Sequence, residues 1–192
     1  MPTKTFKEDQ GTDFGKWEDD VSRFLYFESI EEIFRILKPV GKIADYGGAN
    51  GILKTILKNC ITIDLDKSKS PDICENILTH KGAYDFIMLR YVLHYLNDYE
   101  ILFFWEHLKT FHKGRILVIQ FCNNDLKNKY QNSKNEFKYF RTEVQFEQLL
   151  PPESKKIYSK KYTVTAEFYE NRLGILNATE HEEVLNAYEI KI

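Results

Sequence analysis

The chain has 192 residues, a formal net charge of −2 and 43% hydrophobic residues. This length favours a single domain with a well-buried core, and the near-neutral charge gives no support to a general phosphate-binding surface. The 15% share of aromatic residues argues against a disordered chain.

Leader and membrane segments are not expected. The first ten residues contain no apolar core, so we expect no signal peptide there, and no apolar run approaches the roughly 18 residues that a membrane-spanning helix needs. The cysteines Cys60, Cys74 and Cys122 are odd in number and lie in or beside apolar runs. Buried free thiols are favoured over a redox or metal role. We therefore expect a cytoplasmic protein with no membrane contact.

The N-terminal part precedes the main pattern of the chain. Residues 1–16 are polar and predict a mobile lead-in. Between Trp17 and Leu37, apolar residues recur at three- and four-residue steps, which predicts a helix. Pro39 is expected to end this helix. We predict a lead-in and cap helix over residues 1–40 and one main globular domain over residues 41–192.

Short apolar runs then alternate with helical patterns. The predicted strands are Lys42–Tyr46, Cys60–Asp64, Asp72–Cys74, Tyr84–Leu89 and Arg115–Cys122. The predicted helices between them are Ile52–Lys58 and Val92–Lys109, the second interrupted near Leu96–Asp98. This alternation indicates a parallel sheet with right-handed crossovers.

The last third of the chain has a different pattern. Residues 123–138 are rich in Asn and Lys and predict a surface loop, and Thr142–Leu150 predicts a helix that Pro151 ends. Two closing strands follow, one over Ile157–Phe168 and one ending at Ile192, joined by a hairpin-like connection. The predicted fold class is α/β, with a doubly wound, mostly parallel seven-stranded sheet and a C-terminal antiparallel hairpin.

The first predicted strand leads into a glycine-rich turn. Asp45 lies at the carboxyl end of that strand, where open α/β sheets bind ligands. Gly47 and Gly48 let the backbone approach a ligand, and a helix beginning near Asn50 would offer free N–H groups. Asp64 ends the second strand about 17 residues after Gly47, near the spacing of a βαβ nucleotide site. Its carboxylate can accept two hydrogen bonds from a ribose diol, so the segment predicts a site for an adenosine-containing ligand.

The spacing of the turn separates two cofactors. No register of residues 46–51 supplies the G-x-G-x-x-G turn of a dinucleotide site, which makes a nicotinamide oxidoreductase a remote alternative. The pattern Asp45-x-Gly47-x-Ala49-x-Gly51 resembles the first motif of class I S-adenosylmethionine-dependent methyltransferases, which usually have glycine at the position of Ala49. The resemblance implies the Rossmann-like methyltransferase fold, with the acid and turn facing the amino acid portion of the cofactor. The resemblance also implies that the following residues contact the cofactor: Asp45, Tyr46, Gly47, Gly48, Ala49 and Gly51.

Further segments extend the resemblance. Residues 63–65 resemble the second motif, in which the acid binds the ribose hydroxyls and the next residue packs on adenine. Residues 72–78 resemble the third, where the family often has Asp at Asn76, near the adenine amino group; Asn accepts that bond through its side-chain carbonyl. Residues 84–95 resemble the fourth motif, beside the transferred methyl group, and residues 140–150 the helix before the final hairpin. The resemblance adds as cofactor contacts Asp64, Leu65, Asn76, Ile77, Arg90 and Tyr91.

The implied reaction is an in-line transfer of the sulfonium methyl to an oxygen or nitrogen of a small-molecule acceptor, leaving S-adenosylhomocysteine. The cofactor brings the electrophile, so the protein mainly positions and desolvates. His94 is the first candidate for a catalytic base, with a structural role at the start of a helix as the alternative. Arg90 and Tyr91 can contact cofactor or acceptor. Trp17 and Arg23 can contact the acceptor or the cofactor carboxylate from the cap, or else serve core packing and a solvated helix face. We predict no metal site.

Two other functions remain open. The chain can be an RNA or protein methyltransferase, with the basic and aromatic segment over residues 127–141 as its docking surface. Asp125 and Glu136 dilute that charge, which favours a solvated loop. A non-catalytic, cofactor-binding partner subunit with the same fold is the other alternative, because candidate catalytic groups are few. The sequence leaves the oligomeric state open.

Overall fold

The computed structural model describes residues 29–49, 51–123, 139, 141–164 and 181–192. The predicted lead-in, Trp17 and Arg23 of the cap helix, Asn50 and most of the predicted surface loop lie outside these residues. The division of the chain near residue 40 and the docking role of residues 127–141 therefore stay predictions.

The described residues form one sheet of seven strands. The strands are β1 (Ile43–Tyr46), β2 (Cys60–Asp64), β3 (Ile73–Cys74), β4 (Phe86–Arg90), β5 (Arg115–Asn123), β6 (Lys155–Val164) and β7 (His181–Lys191). Their order across the sheet is β3-β2-β1-β4-β5-β7-β6. The pairs from β3 to β5 are parallel, whereas β7 runs antiparallel to both of its neighbours. The predicted doubly wound sheet with a closing antiparallel hairpin is confirmed.

Apolar side chains cover both faces of the central strands. Helix α1, over residues 29–36, packs Ile30 and Ile33 against one face of the sheet. Helix α2 (Asp98–Phe111) packs Phe104 and Leu108 against the other. All four residues of β1 are buried, as expected for a parallel strand covered on both sides.

The predicted helix over Ile52–Lys58 is wrong. Only a short 3-10 helix, Ile52–Thr55, follows the glycine turn. The amides of Ile56 and Leu57 both donate to the carbonyl of Leu53, and the next turn leads directly into β2 at Cys60. The connection is too short for a full helix, so the helix terminus that we expected to face a ligand is not formed here.

The interruption predicted near Leu96–Asp98 is confirmed. A 3-10 turn, Leu93–Tyr95, follows β4, and α2 begins after a capping box in which Asn97 and Glu100 each accept the other's backbone amide. This box satisfies two helix-terminal N–H groups and separates the turn from the helix.

The elements before the hairpin are close to those predicted. Helix α3 (Glu143–Glu147) begins at a capping box of Thr142 and Gln145, and ends earlier than predicted because the next amides make i→i−3 turns before Pro151. Strand β6 starts two residues earlier than predicted, at Lys155, and its register with β7 shifts between Lys156 and Tyr158.

Candidate functional site

The glycine turn after β1 is tied to β2. Gly47 has φ +69°, and its amide donates to the carbonyl of Ile63 at 2.8 Å. A Cβ at Gly47 would lie 2.4 Å from Val92 Cγ2, and one at Gly48 would lie 2.6 Å from Asp45 Oδ2. Glycine is therefore required at Gly47 by both conformation and space, and at Gly48 by the closeness of Asp45.

The turn continues in left-handed conformations. Ala49 has φ +46° and Gly51 has φ +73°. The left-handed region costs a residue with a Cβ roughly 1–2 kcal/mol, so Ala49 carries strain that glycine would avoid. The Ala49 amide donates to Asp64 Oδ2 at 2.9 Å, which offsets part of that cost and fixes the turn against β2.

Asp64 is oriented by backbone on both sides. Its Oδ2 accepts the Ala49 amide, and its Oδ1 accepts the Asp66 amide at 2.8 Å. A carboxylate has about four lone-pair sites, so both oxygens keep acceptor capacity for hydroxyl donors. This half-buried carboxylate is thus held in place before any ligand arrives.

Asp45 and Arg90 form a buried ion pair at the same edge of the sheet. Arg90 Nη2 and Nε donate to Asp45 Oδ2 and Oδ1 at 2.6 and 3.2 Å, and the two side chains are 7% and 1% exposed. Burial raises the pKa of Asp45, and the nearby Asp64 charge raises it further; the bidentate contact with Arg90 opposes this rise. Burial lowers the pKa of Arg90 to about 10, so the guanidinium keeps its proton at neutral pH.

The predicted adenine contacts lie in the turns after β2 and β3. Leu65 and Asn76 are half-buried, and Ile77 is buried. Asn76 Oδ1 accepts the Leu78 amide at 2.9 Å, which shapes this turn. Cys74 nearby is exposed, so the expectation of a buried thiol is wrong there, because β3 is a two-residue edge strand.

Cys60 and Cys122 are buried, as predicted. Burial raises the pKa of each thiol to about 12. Both thiols are therefore neutral at physiological pH, which suits packing rather than nucleophilic chemistry.

Tyr46 and Tyr91 occupy different surroundings. The Tyr46 side chain is fully buried and makes edge contacts with the rings of His80, Tyr84 and Phe104, so it belongs to the core beneath α2, and burial raises its pKa. A contact between Tyr46 and a cofactor is thus left to its backbone. Tyr91, with φ +52°, stacks on Phe121 at 5.0 Å where β4 ends.

His94 lies buried in the 3-10 turn after β4. Gln120 Nε2 lies 3.0 Å from the Phe121 carbonyl and 3.4 Å from His94 Nδ1. The carbonyl only accepts, so the Gln120 amide nitrogen must face it and therefore also faces Nδ1. The base role of His94 stays a prediction.

Arg141 is a structural residue that the sequence did not single out. Its buried guanidinium donates to the carbonyls of Leu93 and Leu96 at 3.3 and 2.7 Å and to Asp98 Oδ1 at 2.7 Å. The amide of Tyr139 also donates to the His94 carbonyl, at 2.9 Å. The turn that carries His94 is thereby held against α2 from the segment that precedes α3. An arginine before a helix cap has no sequence pattern that points to such a role.

The described ranges lack two features. No cluster of three or more His, Cys, Asp or Glu side chains there is arranged to hold a metal ion. No helix in that part of the chain has the length and apolar character needed to cross a bilayer. The cytoplasmic location stays a prediction.

No protein-family model and no curated protein sequence matches the chain. Solved structures do match. The YcgJ protein from Bacillus subtilis is 11% identical, with a TM-score of 0.63 over 86% of this chain and 98% of that one. Magnesium protoporphyrin IX methyltransferase from Synechocystis, with S-adenosylhomocysteine bound, is 14% identical, with a TM-score of 0.60 over 91% of each chain. Coclaurine N-methyltransferase, bound to N-methylheliamine and S-adenosylhomocysteine, is 11% identical, with a TM-score of 0.57 over 88% of this chain and 73% of that one.

These similarities, together with the strand order, define the class of the fold. The chain has the Rossmann-like fold of class I S-adenosylmethionine-dependent methyltransferases.

Proposed function

We propose that the chain is an S-adenosylmethionine-dependent methyltransferase that acts on a small molecule. The observation that carries this is the Asp64 carboxylate, which the Ala49 and Asp66 amides hold at the carboxyl end of β2. A pre-oriented acceptor pair of this kind suits a ribose diol. The similar structures that contain S-adenosylmethionine or S-adenosylhomocysteine support the choice of cofactor.

The polar and apolar side chains of the site are suited to the remaining parts of this cofactor. Asp45 and Arg90 offer one carboxylate and one guanidinium, which complement the ammonium and carboxylate of a methionine portion. Leu65 and Ile77 offer apolar contact for adenine, and Asn76 an amide for its amino group. We assign the backbone of Tyr46, Gly47, Gly48, Ala49 and Gly51 to the wall of the site. Arg90 stays with Asp45 at the methionine portion, and Tyr91 lies at the border between the cofactor and its acceptor.

The bound cofactor supplies the electrophilic methyl group. This chain's own residues then have to hold an acceptor in line with it and exclude water, and positioning of this kind contributes about 7–11 kcal/mol at best. His94 borders this region on the turn after β4, and we keep it as the candidate proton acceptor. Two of the similar structures are small-molecule methyltransferases by name, which favours an oxygen or nitrogen of a small molecule over RNA or protein.

Titration calorimetry with S-adenosylmethionine and S-adenosylhomocysteine tests the proposal directly. We expect saturable heat with both compounds, and no heat with NAD at the same concentration. Absence of heat and of any thermal shift with both adenosyl compounds would remove the proposal. Binding without methyl transfer across a broad panel of alcohols, phenols and amines would favour the non-catalytic subunit instead.

A further inference from the structure

Two buried amide side chains lie opposite each other on β5 and β7. Gln120 and Asn186 are directly paired in the antiparallel register and are 5% and 0% exposed. Residues paired in this way project to the same face of the sheet, with Cβ atoms roughly 4.5–5.5 Å apart. The neighbouring Val118 and Tyr188 belong to the core beneath α2, so both amides lie on the α2 face.

The orientation of each amide follows from an acceptor-only partner. Gln120 Nε2 donates to the Phe121 carbonyl at 3.0 Å, and Asn186 Nδ2 donates to Glu143 Oε1 at 3.1 Å. Neither partner atom can donate in its carbonyl or ionised form. The amide nitrogens are thus fixed, and the oxygens Gln120 Oε1 and Asn186 Oδ1 point away from these partners.

Both oxygens are buried, and neither has a hydrogen-bond partner in the described part of the chain. A buried polar atom left unsatisfied costs about 1–3 kcal/mol, and native proteins hold few of them. Here two such atoms belong to directly paired residues, so both costs fall on the same small region of the sheet. Their coincidence points to a donor from outside the chain, either an ordered water molecule or a ligand group that replaces it.

The pair lies beyond β4 from the proposed cofactor site. Strand β4 separates β5 from β1, so Gln120 is on the far side of β4 from the carboxylates Asp45 and Asp64. Gln120 also contacts His94 in the turn after β4. The amide pair and the cofactor site are therefore distinct, and the turn that carries His94 links them.

We infer that Gln120 and Asn186 form a subsite that anchors the methyl acceptor through a primary amide or primary amine, an inference that rests on the proposed methyltransferase function. One NH₂ or NH₃⁺ group carries two N–H donors, one for each acceptor oxygen of this directly paired couple. The group held here is an anchor and not the atom that is methylated. The adjacent Glu143 is paired with Lys156, so the local charge does not exclude a neutral amide.

The test uses acetamide and methylammonium as probes on the full-length protein, without cofactor. N,N-dimethylacetamide and tetramethylammonium are matched probes that lack N–H donors. NMR of the side-chain NH₂ signals of Gln120 and Asn186 measures binding. We expect saturable shifts with acetamide, methylammonium or both, which distinguishes an amide site from an amine site, and none with the N–H-free probes.

Variants make the same test from the protein side. Gln120→Met and Asn186→Leu remove the acceptor oxygens at similar volume, and should weaken probe binding about tenfold or more, the equivalent of about 1.4 kcal/mol. Gln148→Leu, at an exposed amide, should bind the probes as the unaltered chain does. Affinity for S-adenosylhomocysteine should stay unchanged in all three.

Equal binding to the variants, equal shifts with the N–H-free probes, or no shift with any probe would overturn the inference. So would a crystal structure in which a water molecule bridges the two oxygens and no probe displaces it. Failure of S-adenosylhomocysteine to bind the unaltered chain would instead contradict the proposed function, and the probe titration would still report on the subsite by itself.

Discussion

Arg90 Nη2 lies 2.6 Å from Asp45 Oδ2 inside the protein, where both side chains are almost fully removed from solvent. The pair connects the carboxyl ends of β4 and β1, which are neighbouring strands. Each charge depends on the other, because an unpaired buried ion is costly. A ligand that meets either residue therefore has to preserve the balance of charge at this edge.

This dependence predicts strong coupling between the two positions. Asp45→Asn and Arg90→Met should each lower the free energy of unfolding by about 3–5 kcal/mol, because each leaves one buried charge alone. The double variant should lose much less than the sum of the two. Urea unfolding of the four proteins measures the coupling, with the exposed Glu106→Gln expected within about 1 kcal/mol of the unaltered chain. Additive losses would contradict the pairing.

The ribose assignment makes Asp64 the most sensitive position for cofactor affinity. Asp64→Ala should weaken binding of S-adenosylhomocysteine by about 1–3 kcal/mol, through the loss of charged hydrogen bonds. Asp64→Asn, which keeps one carbonyl acceptor, should lose less. Calorimetry gives the affinities, and Glu106→Gln serves again as the control. An Asp64→Ala variant that binds as tightly as the unaltered chain, while still folded, would show that the ribose lies elsewhere.

Two substitutions in the glycine turn should have different effects. Gly48→Ala places a methyl group 2.6 Å from Asp45 Oδ2, so we expect a loss of about 1–3 kcal/mol in the free energy of unfolding. Ala49→Gly relieves a left-handed residue but adds freedom to the unfolded chain, worth about 0.4–1 kcal/mol in the other direction. Its stability should therefore stay close to that of the unaltered chain. Thermal and urea unfolding compare the two, and equal losses would mean that the space around Gly48 is not limiting.

The pH dependence of stability should include a contribution from Asp72. The hydrogen bond from Lys54 and the Thr62 amide lower the pKa of this carboxyl. A lowered pKa in the folded state stabilises the protein above the unfolded value of 3.8, and that stabilisation is lost as the pH falls through the folded value. The difference in unfolding free energy between the unaltered chain and Asp72→Asn should therefore be larger near pH 7 than near pH 3. A difference that grows on acidification would contradict this sign.

The sequence was most informative where local patterns dominate. Apolar runs and their breakers predicted β1 and β2 closely, and the spacing of Asp64 from the turn pointed to the same edge of the sheet. The helix over Ile52–Lys58 was predicted wrongly because its apolar spacing is helical, while the few residues before β2 leave room for only one 3-10 turn.

Long-range pairs account for most of what sequence reasoning missed. Asp45 and Arg90 are 45 residues apart, and Gln120 meets Asn186 only through the register of the final antiparallel strand. Which residues become partners in this way depends on the order of the strands in the sheet. No local periodicity encodes that order, so the buried pair and the amide pair emerge only from the tertiary structure.

Arg141 offers the clearest test of how the turn carrying His94 is held. Arg141→Ala leaves the carbonyls of Leu93 and Leu96 without this donor, and should cost about 2–3 kcal/mol of unfolding free energy. Arg141→Lys keeps the charge but not the planar fork, so it should recover only part of that loss. The exposed Arg35→Ala is the matched control and should change stability by less than about 1 kcal/mol.

A second measurement separates a local effect from a global one. The ring signals of His94 should shift and broaden in Arg141→Ala and stay unchanged in Arg35→Ala, because Arg141 fixes the carbonyls on either side of that ring. Arg141→Ala would contradict this prediction if it unfolded with the same free energy as Arg35→Ala and left the His94 signals unaltered. Other contacts, such as the hydrogen bond from the Tyr139 amide to the His94 carbonyl, would then hold the turn without Arg141.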